Sequence, residues 1–198
     1  MKKWKIWKYK LFICKYIKKG DVDMKTPTLE TDRLILRPFC IEDVKEVFNC
    51  WESDPDVAKY MFWTSHNDVN KTIDWVEKEL SKIDSDDWYR WAILSKVTGD
   101  LLGTGLIYVE EKYEKFEIAY NLGKKAWGFG YTTEAMREVI KFAKEDLGVK
   151  EIMGRHATEN PTSGNILNKL GFSYIKDIPY ECNGGKNLYE GKEYILKL

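Results

Sequence analysis

Histidine is scarce in this chain: His66 and His156 are the only two, and they lie far apart in sequence. A histidine-based metal centre or a Ser-His-Asp triad therefore has little to draw on. The four cysteines, Cys14, Cys40, Cys50 and Cys182, form no Cys-x-x-Cys pair and no ligand spacing. That argues against a metal site and a disulfide framework, and points to a reducing cytoplasm. A net charge of one sign is lacking too, since 32 basic residues balance 32 acidic ones. The balance hides a partition. Residues 1–23 hold eight lysines against Asp21 and Asp23, which leaves 24 basic and 30 acidic residues, a net of −6, in residues 24–198. An acidic body argues against nucleic acid as a partner and is compatible with a cationic substrate.

Long apolar runs are missing from the basic leader, residues 1–23. Its longest, Leu11-Phe12-Ile13-Cys14, is too short for a signal-peptide core or a membrane span. A basic, Trp-bearing surface helix is the second reading, but the apolar residues keep no helical period, so no membrane partner is expected. The third reading concerns translation. Lys18-Lys19-Gly20-Asp21-Val22-Asp23 before Met24 can be encoded by a purine-rich stretch resembling a bacterial ribosome-binding site. Met24 is then the expected start and the leader a non-native or disordered extension, with the domain over residues 24–198. An N-terminal peptide from within residues 1–23, seen by mass spectrometry of the native protein, would contradict this.

What the chain does have is aromatic and apolar material for one sizeable core: 198 residues with 8 Trp, 12 Tyr and 8 Phe. Residues 33–39 alternate as a first strand ending at Pro38. Val44, Val47, Phe48 and Trp51 predict a helix over residues 42–52, broken by Asp54-Pro55, and Ile73, Val76 and Leu80 a second over residues 69–83. Residues 88–95, 101–110 and 115–122 read as a strand meander, with Thr98-Gly99-Asp100 as a turn. A helix over residues 132–147, with Ala135, Val139, Phe142 and Ala143 inward, stops at Gly148. A strand over 151–157, a helix over 163–170 and strands over 172–180 and 193–198 complete the order βααβββαβαββ. This is an α+β or α/β domain on a mixed sheet.

Between the meander and the long helix lies Lys125-Ala-Trp-Gly-Phe-Gly-Tyr-Thr-Thr-Glu-Ala135. Gly128 and Gly130 permit positive φ and close approach of a ligand, and the following helix aims unpaired N–H groups at the turn. That makes an anion site, with phosphate its usual occupant. A P-loop requires Lys-Ser/Thr after the second glycine, and a dinucleotide fingerprint requires glycine where Thr133 stands, early in the chain; neither fits. A plain β-to-α turn is the structural alternative.

Three segments, in order, resemble the GNAT N-acetyltransferases, in particular the RimJ/RimL branch of ribosomal-protein N-terminal acetyltransferases. They are Leu29-Glu-Thr-Asp-Arg-Leu-Ile-Leu-Arg-Pro38, then Glu117-Ile-Ala-Tyr-Asn-Leu122 with Trp127-Gly-Phe-Gly-Tyr-Thr-Thr-Glu-Ala135, then Asn160-Pro-Thr-Ser163 with Asn168-Lys-Leu-Gly-Phe172. The resemblance covers residues 28–198. It implies the acyl-CoA N-acyltransferase fold, with a splayed parallel strand pair in a mixed sheet, and acetyl-CoA as co-substrate with no metal. Lys125 takes the first place of the family's Gln/Arg-x-x-Gly-x-Gly/Ala pattern, keeping the charge of arginine without its fork. Backbone groups of Gly128, Phe129, Gly130, Tyr131, Thr132 and Thr133 are then expected at the pyrophosphate. Either threonine hydroxyl adds a bond, or serves as a helix N-cap. Tyr120, Asn121 and Leu122, at the end of their strand, and Asn160 and Ser163 match the contacts to the pantetheine arm. For Asn160 and Ser163 a loop and helix-cap role is the alternative.

The reaction implied is direct attack of an amine on the thioester. Only a neutral amine is nucleophilic, so a base or water path must take a proton. Glu117 is the candidate: alternation puts it on one face with Ala119 and Asn121, where apolar neighbours would raise its pKa. An exposed or ion-paired strand glutamate is the plainer reading. Leu167 stands where several relatives carry a tyrosine acid, which leaves Ser163, through a water, as proton donor. Trp51, residues 60–63, His66 and residues 88–91 are expected around the acceptor, in the core or on a homodimer surface, with Trp51 and Trp75 in the core. The expected acceptor is a protein or peptide N-terminal amine. A small amine (polyamine, amino acid or antibiotic) and a non-catalytic acetyl-CoA-binding role are the alternatives.

Overall fold

The computed structural model describes residues 25–198; the leader and Met24 lie outside the described residues. Eight strands form one sheet: β1 (Leu29–Glu30), β2 (Leu34–Arg37), β3 (Trp88–Ser95), β4 (Leu101–Glu110), β5 (Lys115–Leu122), β6 (Glu151–Ala157), β7 (Ser173–Cys182) and β8 (Asn187–Lys197). Their spatial order is β1-β2-β3-β4-β5-β6-β8-β7, and only β5 and β6 run parallel. This is the mixed sheet expected from the sequence. A two-residue β1 precedes the anticipated first strand, folded back through Thr31, whose Oγ1 accepts from Leu34 N–H at 3.0 Å.

Both faces of the central strands are covered, which is why β3 reads as a nearly continuous apolar run. Tyr89, Trp91 and Ile93 point to one side, where α4 (Tyr131–Glu145) packs Ala135, Met136, Val139, Phe142 and Ala143, all buried as the helical period requires. Leu167 of α5 (Pro161–Lys169) extends this core under β6. Ala92 and Leu94 point to the other side, against Val47, Trp51, Val57 and Val76 from the early helices. Trp51 is fully buried there, and Trp75 packs at the margin.

The early helical region departs most from expectation. The segment predicted as one helix over 42–52 is a 3-10 turn (Ile41–Asp43), a single α turn, α1 (Val44–Val47), and a π turn (Phe48–Glu52). Ser53 N–H reaches back five residues to Phe48 O at 3.1 Å, and the Ser53 hydroxyl donates to the same oxygen at 2.8 Å. The wider turn puts Trp51 and Glu52 inside together. The Asp54-Pro55 break holds: Asp54 caps a short α2 (Pro55–Ala58). The next helix, α3 (Val69–Leu80), ends earlier than expected; Val76 and Leu80 pack on the second core as the period requires, and Thr72 and Glu79 are buried beside Val76. Both polar groups have buried partners, and periodicity of apolar residues cannot see these.

At the far edge the β7–β8 hairpin is longer than expected. It closes through Asn183, Gly184 and Gly185, each at positive φ. Arg37 and Asp43 form a buried two-armed pair, 2.7 and 2.6 Å, fixing the end of β2 to the first helical turn. Replacing Trp51 with alanine should lower unfolding free energy by about 3–5 kcal/mol in a urea titration, because it empties the centre of the second core.

Candidate active site

The glycine turn leaves β5 through a 3-10 turn (Lys124–Ala126) and enters α4 at Gly130. Gly128 and Gly130 have φ of 82° and 76°. A Cβ on Gly128 would meet nothing within 4 Å, so it is the backbone conformation, and the open space a ligand needs, that call for glycine there. Gly130 is itself the N-cap and no side chain caps the helix, so Thr132 and Thr133 are not N-caps. Among the described residues, the N–H groups of Gly128, Phe129, Gly130, Tyr131, Thr132 and Thr133 have no backbone acceptor. That row of free donors at a helix N-terminus fits a pyrophosphate. Lys125 is exposed on the 3-10 turn, whereas its neighbour Lys124 is paired with Asp54 and Asp56.

Arg33 belongs to this turn and was not anticipated. Its Nε donates to Glu134 at 2.6 Å, its Nη1 donates to Phe129 O at 3.0 Å, and its guanidinium lies 4.6 Å from the Tyr131 ring centre. The Glu134 carboxyl is held below its usual range: burial raises it, but bonds from Thr31 and Arg33 outweigh that. The only signal was an arginine at the mouth of β2, too distant in sequence to be read.

β5 and β6 pair only at Phe116–Ile152 and Glu117–Met153. From Ile118 onward they diverge, as the resemblance implied, and the gap opens into a cavity of about 390 Å³. Tyr120 and Asn121 line it, while Leu122 is buried at the strand end, where its carbonyl accepts from Trp127 Nε1 at 2.7 Å. The Asn121 amide nitrogen is buried without a partner, an orphan donor that a pantetheine amide would satisfy. Across the gap, Asn160 accepts from Ser163 N–H at 3.3 Å and caps α5. Ser163 Oγ lies 3.1 Å from the Tyr120 hydroxyl, and burial pushes the Tyr120 phenol well above its usual range.

Glu117 is at the last paired position, buried, on the cavity floor. It is not alone: Arg155 of β6 binds both its oxygens, at 2.9 and 2.5 Å, and reaches Glu110 at 2.8 Å. Burial pushes the Glu117 carboxyl up and Arg155 pulls it back, with burial prevailing. For Arg155, burial is overcome by Glu117 and the guanidinium stays charged. The Tyr108 hydroxyl also bonds Glu117, and a carboxylate with about four acceptor positions keeps capacity for a proton beside these partners. His156 also lines the cavity, its pKa lowered by burial, with Nδ1 2.7 Å from Ala157 O.

The other end of the cavity is walled by Tyr60, Met61, Phe62 and Trp63 above, and by Trp75, Trp88 and Tyr108. Asn183 holds the upper wall: its amide donates to Ala58 O at 3.0 Å and Trp63 O at 2.8 Å. The backbone N–H groups of Asn183 and Gly184 add bonds to Met61 O and Phe62 O at 2.8 and 2.7 Å. Tyr60 closes the near side through its hydroxyl, 3.0 Å from Glu159 O. The Asn-Gly-Gly turn was the missed signal. Of the residues expected around the acceptor, Trp51 is core, and His66 sits behind the wall, 3.2 Å from buried Glu52.

These features fit a coenzyme A-dependent acyltransferase site. The chain belongs to the GNAT acetyltransferases: residues 33–173 match the Acetyltransferase (GNAT) domain family. It is 33% identical over 146 residues to an uncharacterized N-acetyltransferase, p20, of Bacillus licheniformis, covering 73% of this chain and 82% of that protein. In fold it is similar to a putative ribosomal-protein-serine acetyltransferase of Vibrio cholerae (TM-score 0.75, 18% identity, 87% of this chain and 98% of that one). It is likewise similar to RimL, the ribosomal L7/L12 alpha-N-protein acetyltransferase, in complex with coenzyme A (TM-score 0.76, 12% identity, 87% and 98%). Among the described residues no helix is long and apolar enough to cross a membrane.

Alanine at Gly128 or Gly130 should raise KM for acetyl-CoA at least tenfold, since an L-residue at that φ forces the donors out of line. Initial-rate kinetics with the acceptor saturating would measure it.

Proposed function

We propose that this acetyltransferase acts on the primary amine of a small molecule. The observation carrying this reading is the wall of Tyr60 to Trp63, which Asn183 and the Tyr60 hydroxyl hold along the cavity so that it narrows the end away from the glycine turn. A wall of that kind favours an acceptor that enters whole over the surface of a folded protein. The protein N-terminal amine implied by the RimJ/RimL resemblance rests on likeness of fold. Thiol release over a panel of small amines and N-terminal peptides tests the choice. Faster turnover of peptides than of any small amine would reverse it.

Acetyl-CoA supplies an acetyl group already activated as a thioester. The donors of residues 128–133 bind the pyrophosphate, and Asn121, Asn160 and Ser163 with the free edge of β5 hold the arm in the gap. Glu117 takes the proton of the incoming ammonium through solvent, with Arg155 fixing its orientation. The neutral nitrogen bonds to the acetyl carbon, the carbon–sulfur bond breaks, and the sulfur leaves with the electron pair. With Tyr120 donating to Ser163 Oγ, the Ser163 hydroxyl proton is left to hydrogen-bond that sulfur. The nitrogen's second proton passes through solvent to the thiolate and Glu117 returns the first to bulk water, so ammonium and thioester become amide, thiol and one released proton. Because the amine attacks the acetyl carbon directly, no covalent enzyme intermediate forms. Asn183 contributes by keeping the wall in place.

Glu117→Gln should lower kcat/KM by about 10²- to 10⁴-fold, the range for a positioned base. In the native enzyme the acidic limb of the kcat/KM profile should lie above the ordinary carboxylate range, because a protonated Glu117 cannot act. Arg155→Gln removes the cation favouring the carboxylate, so that limb should move to higher pH. An unchanged limb in Arg155→Gln would exclude Glu117 as the titrating base.

Asn183→Ala should raise KM for the amine several-fold with little change in KM for acetyl-CoA, because it frees the carbonyls of Ala58 and Trp63. Steady-state kinetics with each substrate varied in turn separates the two.

A further inference from the structure

The acceptor end of the cavity carries the wrong charge for a simple amine. Arg90 of β3 stands in the row Arg90–Leu106–Ala119 across the sheet, on the face that Glu117 shares. Its guanidinium lies 5.4 and 5.3 Å from the ring centres of Trp75 and Trp88. Its Nε is 3.0 Å from Glu79 Oε2 but not in hydrogen-bond alignment, and that oxygen already accepts from Trp88 Nε1 at 2.8 Å. Glu79 is the nearest carboxylate to Arg90, and among the described residues no hydrogen bond is made by either Nη group of Arg90. Lys82 Nζ lies 3.4 Å over the Trp88 ring, and Lys78 lines the same wall. Lys82 and Arg90 both lie in the field of Glu79, and Lys82 also in that of Asp87, while Glu52 is engaged by Thr72 at 2.7 Å and His66 at 3.2 Å.

A guanidinium held between aromatic rings, with its planar fork free, suits an oxyanion. The row containing Arg90 is two strand spacings from β5, about 10 Å. We propose that the acceptor carries, beyond its primary amine, an anionic group on a flat apolar body, and that Arg90 binds this carboxylate or phosphate while Trp75 and Trp88 flank the body. The inference rests on the small-amine reading above and deepens it: Arg90 determines specificity and the amine end is left to the chemistry at Glu117. Lys82 and Lys78 add attraction at the entrance. An amine lacking the anion adds no counter-charge to these cations beyond Glu79 and Asp87.

The test uses matched acceptors: 4-(aminomethyl)benzoate against its neutral carboxamide, and tyramine phosphate against tyramine. The native enzyme should show kcat/KM at least tenfold higher for one anionic member than for its neutral partner, and which pair responds tells carboxylate from phosphate. Arg90→Gln should bring that ratio close to one, and Arg90→Lys should leave it intermediate. Neutral members turned over as well as anionic ones, or a ratio unmoved by Arg90→Gln, would overturn the proposal. If Arg90→Gln fails to fold because Glu79 is left alone, Arg90→Gln with Glu79→Gln replaces it. Absence of thiol release with every amine would count against the small-amine reading itself. The anion site is then judged by calorimetry of 4-(acetamidomethyl)benzoate and its carboxamide on the coenzyme A complex. Tighter binding of the acid upholds the site, and equal affinity overturns it.

Discussion

Everything functional in this molecule depends on two parallel strands that pair for two residues and then part. A sheet that continued to pair between β5 and β6 would satisfy its own backbone and have no interior opening. The separation after Glu117–Met153 leaves one edge of β5 free and creates the cavity into which the edge faces. Side chains bridge the opening where the backbone does not. Arg155 reaches from β6 to Glu117 near its floor, and the Tyr120 hydroxyl reaches Ser163 of α5 higher up. The groups assigned to proton handling are thus also the cross-braces of the split, which ties the stiffness of the gap to the chemistry performed in it.

Much of this was legible in the sequence because its causes are local. The bounds of β3 to β6 follow from apolar alternation and turn residues, and the inward face of α4 follows from its 3.6-residue period. The glycine turn is equally local, since positive φ at Gly128 and Gly130 is a property of those residues. What could not be read is what comes from pairing between distant segments. Thr72 and Glu79 look like surface positions on α3 until their partners Glu52, Trp88 and Arg90 are placed beside them. The clamp on Glu117 comes from a single arginine 38 residues later. The π turn at residues 48–52 breaks a good helical pattern so that two adjacent side chains can both be buried.

The same distinction applies to charge. An acidic body of net −6 suggested attraction for a cation, yet the cavity's acceptor end is dominated by Lys78, Lys82 and Arg90. A sum over the chain describes the far field, whereas recognition is decided within a few ångströms, where burial removes the screening of water. Arg90 sits between two tryptophans because β3 and α3 cross there, a juxtaposition that composition cannot express.

The hairpin turn at Asn183 has a consequence for how the protein is made. The glycine turn proposed for the pyrophosphate is complete once α4 has formed, with residues 146–198 still to follow. The wall proposed for the acceptor is begun by residues 60–63, yet it is held by Glu159, Asn183 and Gly184, which come far later in the chain. Synthesis in chain order therefore supplies the proposed coenzyme cradle before the parts that secure the proposed acceptor wall.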